Sequence, residues 1–237
     1  MQTDRLMQPH DNLITETNAV NNLSSLDSLA IVNNLGKFIT IEGIDGCGKS
    51  TLAKNLADAL VKTGASVVLT KEPGGSQLGT ALRKILQEQK DPVCEKAEYL
   101  LFAADRAQHF KQIIQPALAA NKIVISDRWG DSSVAYQGYG RGLDIEMIKS
   151  VNAWATQELI PDLIFYIRID AQTAFDRIKK RNLELTAFEK EKVEFWTRVE
   201  HGYEELFMNN KNVAVLDGKM TQEELLQQAV NRYQYLT

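Results

Sequence analysis

Cysteine and histidine are scarce in this 237-residue chain: Cys47 and Cys94, with His10, His109 and His201, are the whole supply. Two cysteines make no disulfide framework. Histidines scattered singly offer no spacing from which a Cys/His metal site could be assembled, so each is read as surface or core filling. Long apolar runs are missing too. No segment approaches the ~20 residues of a bilayer helix, and the N-terminus has no basic head followed by an apolar stretch. A cytoplasmic protein without membrane contact is therefore expected. Excess positive charge is also lacking. Lys and Arg number 27 against 31 Asp and Glu, for a net charge of −4. That balance argues against a protein built around duplex nucleic acid, yet leaves room for a local basic pocket for phosphates.

What is present is the make-up of an ordinary globular protein, with 44% hydrophobic and 24% charged residues. The length suits one α/β domain, or at most two small ones. Residues 1–36 stand apart, rich in Asn, Ser and Thr with a weak apolar pattern from Leu23 to Val32. They read as a flexible N-terminal extension in which a short helix over 23–32 is possible. From Lys37 the pattern becomes regular. Phe38–Ile41, Val67–Leu69, Ile123–Ile125, Leu163–Ile167 and Val213–Leu216 read as five strands. Helical spacing covers about 52–62, 78–87, 95–120 with a kink near Pro116, 144–158, 171–181, 189–208 and 221–235. Continuous apolar strands alternating with helices predict a three-layer α/β domain over 37–237, a five-stranded parallel sheet flanked by helices. Ligands of such a sheet bind beyond the carboxyl ends of its strands.

At that place in the chain, Gly43-Ile44-Asp45-Gly46-Cys47-Gly48-Lys49-Ser50 fits G-x-x-x-x-G-K-S/T between a predicted strand and a predicted helix, the context that a P-loop requires. Glycines let backbone N–H groups turn inward, the next helix presents its positive end, and a polyphosphate fills the nest. Gly43 to Thr51 form the expected ATP phosphate-binding set. Lys49 supplies charge to the β- and γ-phosphates, and the Ser50 hydroxyl can ligate Mg²⁺. Ser126-Asp127-Arg128 closes the third predicted strand, where a P-loop protein carries its second magnesium-side carboxylate. Asp127 is thus paired with Ser50 around Mg²⁺, partly through water, and Arg128 stands near the transferring phosphate.

A P-loop fixes the donor and leaves the acceptor open. Four further stretches resemble the thymidylate kinase family. Thr70-Lys71-Glu72-Pro73-Gly74-Gly75 is similar to its T-R-E-P-G-G, with Lys71 in the arginine place. Phe102 and Arg106 match F-x-x-x-R. Asp127-Arg128 with Ser132, Ser133, Tyr136, Gln137 and Gly138 resembles D-R-x-x-x-S-x-x-A-Y-Q-G, and Arg83 lies in a matching Leu82-Arg83-Lys84. The resemblance runs from about Lys37 to the C-terminus. It implies phosphorylation of thymidine 5′-monophosphate by Mg-ATP, by direct in-line transfer, in dTTP biosynthesis, by a homodimer. It implies a thymidylate pocket of Glu72, Pro73, Arg83, Phe102, Arg106, Arg128, Ser132, Ser133, Tyr136 and Gln137. Phe102 would stack on thymine, Arg106 would donate to a thymine carbonyl, and Arg83 and Arg128 would hold the acceptor phosphate. Asp45 would face the acceptor sugar and accept from its 3′-hydroxyl, or else hold a loop N–H.

The phosphate loop has no arginine, and family members of that kind place basic residues in a mobile lid, here about 181–192. Arg181 matches the lid arginine best, ahead of Arg177 and Lys180. It completes the implied catalytic set with Lys49, Asp45 and Arg128. The family's L-D-R-I-E reads Leu185-Thr186-Ala187-Phe188-Glu189, without the Asp and Arg. For the dimer, Leu100, Leu101 and Phe110 offer an apolar stripe that could equally be core. Another nucleoside or nucleoside-monophosphate kinase is the nearest alternative. A guanine-nucleotide switch would need N-K-x-D, and Asn210-Lys211-Asn212-Val213 does not supply it. A degenerate kinase kept for interaction would show damage at Lys49, Ser50, Asp127 or Arg128, and all four are present.

Overall fold

A computed structural model describes residues 36–88, 93–180 and 185–236. The expected N-terminal extension, its helix over 23–32 and the lid candidate Arg181 lie outside the described residues. Strands β1 (Lys37–Glu42), β2 (Val67–Lys71), β3 (Ile123–Asp127), β4 (Leu163–Arg168) and β5 (Val213–Asp217) form one sheet in the order β2-β3-β1-β4-β5, parallel throughout. The predicted α/β architecture is what the chain adopts.

The reason is visible in β1. It is buried along nearly its whole length, so both of its faces need covering. Ile39 and Ile41 join α1 (Lys49–Lys62), through Leu52, Leu56 and Leu60, in one core cluster. Phe38, pointing the other way, joins Phe110, Ile114, Val124 and Trp129 in a second. The edge strands β2 and β5 are only partly covered. β1 is central, with β3 on one side and β4 on the other. The chain leaving its carboxyl end therefore enters the crevice where connections diverge to either side. That chain is the phosphate loop.

Several elements differ from expectation. The stretch read as one kinked helix is α3 (Glu95–His109), a π-helical turn Phe110–Ile114, and α4 (Gln115–Ala119). Pro116 has no N–H and its ring would strike the carbonyl four residues earlier. The chain widens before it and restarts with Pro116 in the new first turn, where the missing donor costs little. Residues 130–140, not read as helical at all, form α5 (Gly130–Ser133) and a second π-helical turn, Val134–Gly140. Glycine disfavours helix interiors, and Gly130, Gly138 and Gly140 all lie in this stretch. Here Gly140 instead lets α8 (Val193–Phe207) approach, since a Cβ there would lie 2.6 Å from the Phe195 ring. Helix α8 begins at Val193 rather than 189, because residues 187–190 form a turn. The remaining helices are α2 (Gln77–Glu88), α6 (Ile145–Ala155), α7 (Ala171–Lys180) and α9 (Gln222–Gln234).

Candidate active site

One cleft of about 920 Å³ opens at the carboxyl ends of β1, β2 and β3. Its donor end is the phosphate loop. Gly43 has φ +140° and a Cβ there would meet the Ile167 carbonyl at 2.7 Å, while Gly46 has φ +82° and would meet the Ala174 carbonyl at 2.7 Å. No other residue fits either place. Helix α1 starts on Gly48 without a side-chain cap, and a glycine-led helix start of this kind is a ready anion site. Lys49 is buried and its Nζ donates to the Ile44 carbonyl at 2.8 Å, 3.9 Å from Asp45 Oδ1. Its charge is aimed before any ligand arrives.

Asp45, Gly46, Gly48, Lys49, Ser50 and Thr51 line this end. Gly43, Ile44 and Cys47, also expected in the phosphate set, do not. Ile44 and Cys47 are packed in the main core cluster, so they contribute loop shape and main-chain groups only. Burial pushes the Cys47 thiol up, against partial relief from Lys49 and Arg128, which keeps it protonated and inert.

Ser50 Oγ donates to Asp127 Oδ2, and Asp127 Oδ1 is buried without a partner. A hydroxyl beside a carboxylate with an orphaned oxygen is a hard-oxygen donor set suited to Mg²⁺. Among the described residues no cluster of three His, Cys, Asp or Glu side chains could hold an ion by itself. The pair fits a magnesium ion completed by water and substrate phosphates, the usual arrangement for that cation.

Arg128 sits where the two ends meet. Its backbone is left-handed, φ 78°, which a non-glycine residue holds only when its surroundings insist. Nη2 pairs with Asp45 Oδ1 and donates to Tyr136 Oη at 3.0 Å, and Nη1 reaches Ser132 Oγ at 2.9 Å, Tyr203 Oη and the Gly43 carbonyl. Burial pulls its pKa down, but Tyr136, Asp45, Tyr203 and Asp127 outweigh it and hold the guanidinium well above its ordinary range. Asp45 therefore has a partner that sequence did not suggest. It pairs with Arg128, and its own N–H donates to Tyr136 Oη at 3.1 Å.

The acceptor end brings together all ten residues implied by resemblance: Glu72, Pro73, Arg83, Phe102, Arg106, Arg128, Ser132, Ser133, Tyr136 and Gln137. Arg106 is only 1% exposed. Its Nε donates to Glu72 Oε2 at 2.9 Å, Nη1 to Asn152 Oδ1 at 2.6 Å, and Nη2 to Ser133 Oγ at 3.1 Å. Glu72 Oε1 lies 2.9 Å from His109 Nδ1, whose Nε2 meets Thr70 Oγ1 at 2.6 Å. His109 is thus a satisfied core histidine, while His201 is exposed, as both were read. Arg83 Nη1 donates to the Pro73 carbonyl at 3.0 Å, across a cis Glu72–Pro73 peptide.

Leu185, Thr186, Phe188 and Glu189 also line the cleft. Thr186 and Glu189 cap each other, the Thr186 N–H donating to Glu189 Oε2 at 2.9 Å and the Glu189 N–H to Thr186 Oγ1 at 3.3 Å. A threonine thus supplies the capping oxygen where the family pattern has Asp, while Ala187 is exposed and brings no charge. Phe188 lies 6.0 Å from the Phe102 ring and 5.8 Å from Tyr136. Arg141 covers Phe188 and pairs with Glu98 and Glu191, and Glu98 in turn holds the Gln137 side chain at 3.0 Å. Arg177 also lines the cleft and Lys180 does not.

Glu42, Asn152, Arg141 and Phe188 were not read as site residues. Glu42 abuts the phosphate loop and was visible to a reading of the motif's edge. Asn152 and Arg141 carry no sequence signal, because they act through side-chain partners 43 to 53 positions away.

Known proteins of one family resemble this chain over most of its length. A sequence model described as thymidylate kinase matches residues 41–230. The thymidylate kinase of Trichodesmium erythraeum is 43% identical over 210 residues, covering 82% of this chain and 93% of that protein. The thymidylate kinase of Halothermothrix orenii is 43% identical over 192 residues, 80% and 92% of the two chains. A crystal structure of thymidylate kinase from Ehrlichia chaffeensis superposes with a TM-score of 0.70 at 32% identity, covering 84% of this chain and 98% of that one. The matched span contains every residue lining the cleft, and the chain belongs to the thymidylate kinase family.

Proposed function

We propose that the protein transfers the γ-phosphoryl group of ATP to thymidine 5′-monophosphate, forming the diphosphate on the way to dTTP. The observation that carries this reading is the continuity of the cleft. The phosphate loop and the Phe102–Arg106 pocket are two ends of one space, with Arg128 at their junction. A flat apolar ring beside a fixed guanidinium suits a pyrimidine with two carbonyl groups.

The acceptor phosphate oxygen is a nucleophile at neutral pH, so no general base is required. The protein's work is positioning and charge neutralisation. Loop amides and Lys49 hold the donor's β- and γ-phosphates, and Arg83 and Arg128 hold the acceptor phosphate. Ser50 and the Asp127 carboxylate would hold Mg²⁺, partly through water, and the ion would supply charge neutralisation on the phosphates. To receive the acceptor, Arg128 exchanges part of its hold on Asp45 for the phosphate, which frees Asp45 to face the acceptor sugar. The lid supplies a further cation, Arg181 by resemblance.

A coupled assay with ATP, Mg²⁺ and, in turn, thymidylate, deoxyuridylate, cytidylate and thymidine tests the reading. Thymidylate should give the highest kcat/KM. A preference for any other acceptor overturns it. The same reading includes a cytoplasmic homodimer. No helix among the described residues is long and apolar enough to cross a membrane. Phe110 is core and unavailable for a dimer face, but Leu100 on α3 is 60% exposed, and Met147 and Trp154 on neighbouring α6 are 62% and 82% exposed. Light scattering that returns a monomer at micromolar concentration removes the dimer.

A further inference from the structure

Glu42 ends β1, one residue before the phosphate loop, and is fully buried. No step above uses it. Its carboxylate nonetheless accepts three hydrogen bonds. The Trp129 N–H donates to Oε1 at 2.6 Å, and the Ser132 and Tyr203 hydroxyls approach Oε2 at 2.6 and 3.1 Å. The same two hydroxyl oxygens lie 2.9 and 3.2 Å from Arg128 Nη1. A carboxylate can only accept. It therefore draws the hydroxyl protons toward itself and leaves hydroxyl lone pairs to accept from the guanidinium. Its other oxygen holds the amide that directly follows the left-handed Arg128 backbone. One buried group thus fixes both the turn and the side chain of the arginine.

We propose that Glu42 is a positioning residue, whose carboxylate acts through Ser132, Tyr203 and the Trp129 amide to aim Arg128 at the acceptor phosphate. The inference rests on the thymidylate kinase reading. Glutamine at this position keeps the shape and reverses the logic. An amide nitrogen facing Ser132 and Tyr203 donates where the carboxylate accepted, so their lone pairs are claimed twice and Arg128 loses its seat.

Protonation acts in the same direction. Burial, and then the Asp131 carboxylate, raise the Glu42 carboxyl from its usual 4.5 to about 7, with Ser132 and Arg128 opposing. The groups facing it are Asp131 of α5, Arg128 after β3 and Tyr203 of α8. Tyr166 of β4 lies beside it in register but sends its hydroxyl to Glu204, and Arg106 of α3 acts on Asp131. A protonated Glu42 must donate to one of the hydroxyls, which inverts the relay. The kcat/KM for thymidylate should therefore rise as pH increases through about 7, the Glu42 value. The substrate's own phosphate adds a step near pH 6.

The test is steady-state kinetics on the full chain, with ATP and thymidylate varied in turn from pH 5.5 to 8.5, alongside a melting temperature. The Glu42→Gln variant should show a KM for thymidylate raised about tenfold, with KM for ATP within about twofold of wild type. Its pH step near 7 should be gone, leaving only the step from the substrate. A Glu42→Gln variant with an unchanged KM for thymidylate and an unchanged pH step overturns the inference. Should that variant not fold, Tyr203→Phe decides, since it keeps the ring and deletes one bridging hydroxyl. A rise of several-fold in KM for thymidylate supports the assignment, and no change refutes it. Wild-type protein that does not turn over thymidylate would sink the kinase reading itself, and this inference with it, a result distinct from either variant's.

Discussion

The two ends of the cleft are built by different means. The donor end is one contiguous stretch, Gly43 to Thr51, whose binding groups are mostly backbone amides held by glycine geometry and a helix start. The acceptor end is a meeting of side chains from the turn after β2, from α2, α3 and α5 and from the Val134–Gly140 turn, with Arg106 held by Glu72, Ser133 and Asn152, up to 46 residues away. A backbone site needs little support beyond its own turn. A side-chain site needs partners behind it, and those partners are also part of the core. Damage to the first should therefore appear mainly in catalysis. Damage to the second should appear in substrate affinity and in stability together.

The largest expected effect tests the donor end. Lys49→Ala should lower kcat by about 10²-fold or more, as for deletion of one donor to a developing charge, with little change in melting temperature. Its Nζ holds a loop carbonyl at 2.8 Å, with the Cys47 thiol at 3.7 Å and the Asp45 carboxylate at 3.9 Å, all within the loop itself. Near-normal turnover in a folded Lys49→Ala protein would remove Lys49 from the reacting phosphate.

Arg106→Ala probes the acceptor end. It should raise KM for thymidylate about tenfold or more while sparing KM for ATP. It should also destabilise the fold by about 3 kcal/mol, because Glu72 is left as a buried charge without its guanidinium partner. Equal effects on the two substrates, or no thermal shift, would break the contrast between the ends. A smaller effect of the same kind is expected one layer out. Asn152→Ala removes an acceptor for Arg106 and Tyr99 and a donor to the Gly130 carbonyl. It should cost about 1–2 kcal/mol of stability and a few-fold in KM for thymidylate. If Asn152→Ala were silent in both, the fork of Arg106 would not depend on its buried partners.

The same contrast explains what the sequence made legible. The sheet could be read because five continuous apolar runs can lie only in a covered parallel sheet, and the phosphate loop because its spacing is local. The acceptor residues came from resemblance, since nothing in Phe102 or Arg83 taken alone separates pocket from core or solvent. Their supports were hidden for a physical reason. Asn152 and Arg141 matter through partners that only the folded chain brings near. The π-helical turn over Val134–Gly140 was missed because its glycines imitate a loop, whereas Gly140 serves the packing of α8. In the lid sequence, Thr186 stands where the family pattern has Asp, and its exchange of hydrogen bonds with Glu189 is a local contact that the pattern alone does not reveal.

The smallest expected effect lies where the two ends join. The Glu42 carboxyl is raised from 4.5 to about 7, first by burial and then by Asp131. Asp131 is itself raised to about 6 by burial, with Arg106 opposing. In the folded state Glu42 keeps its proton until about pH 7, while the unfolded chain releases it near 4.5. Between those values the native state binds more protons, so the stability this group contributes is full below 4.5 and is lost as pH rises through 7. Glu42→Gln removes that titration. The melting temperature of the wild type should therefore fall more steeply from pH 5 to 8 than that of the variant, by about 5 °C. Parallel curves would mean that Glu42 ionises as easily in the fold as outside it. A buried carboxylate that weakens the protein as it ionises, while it aims the arginine at the junction, fits the wider pattern of sites that keep local strain for the sake of chemistry.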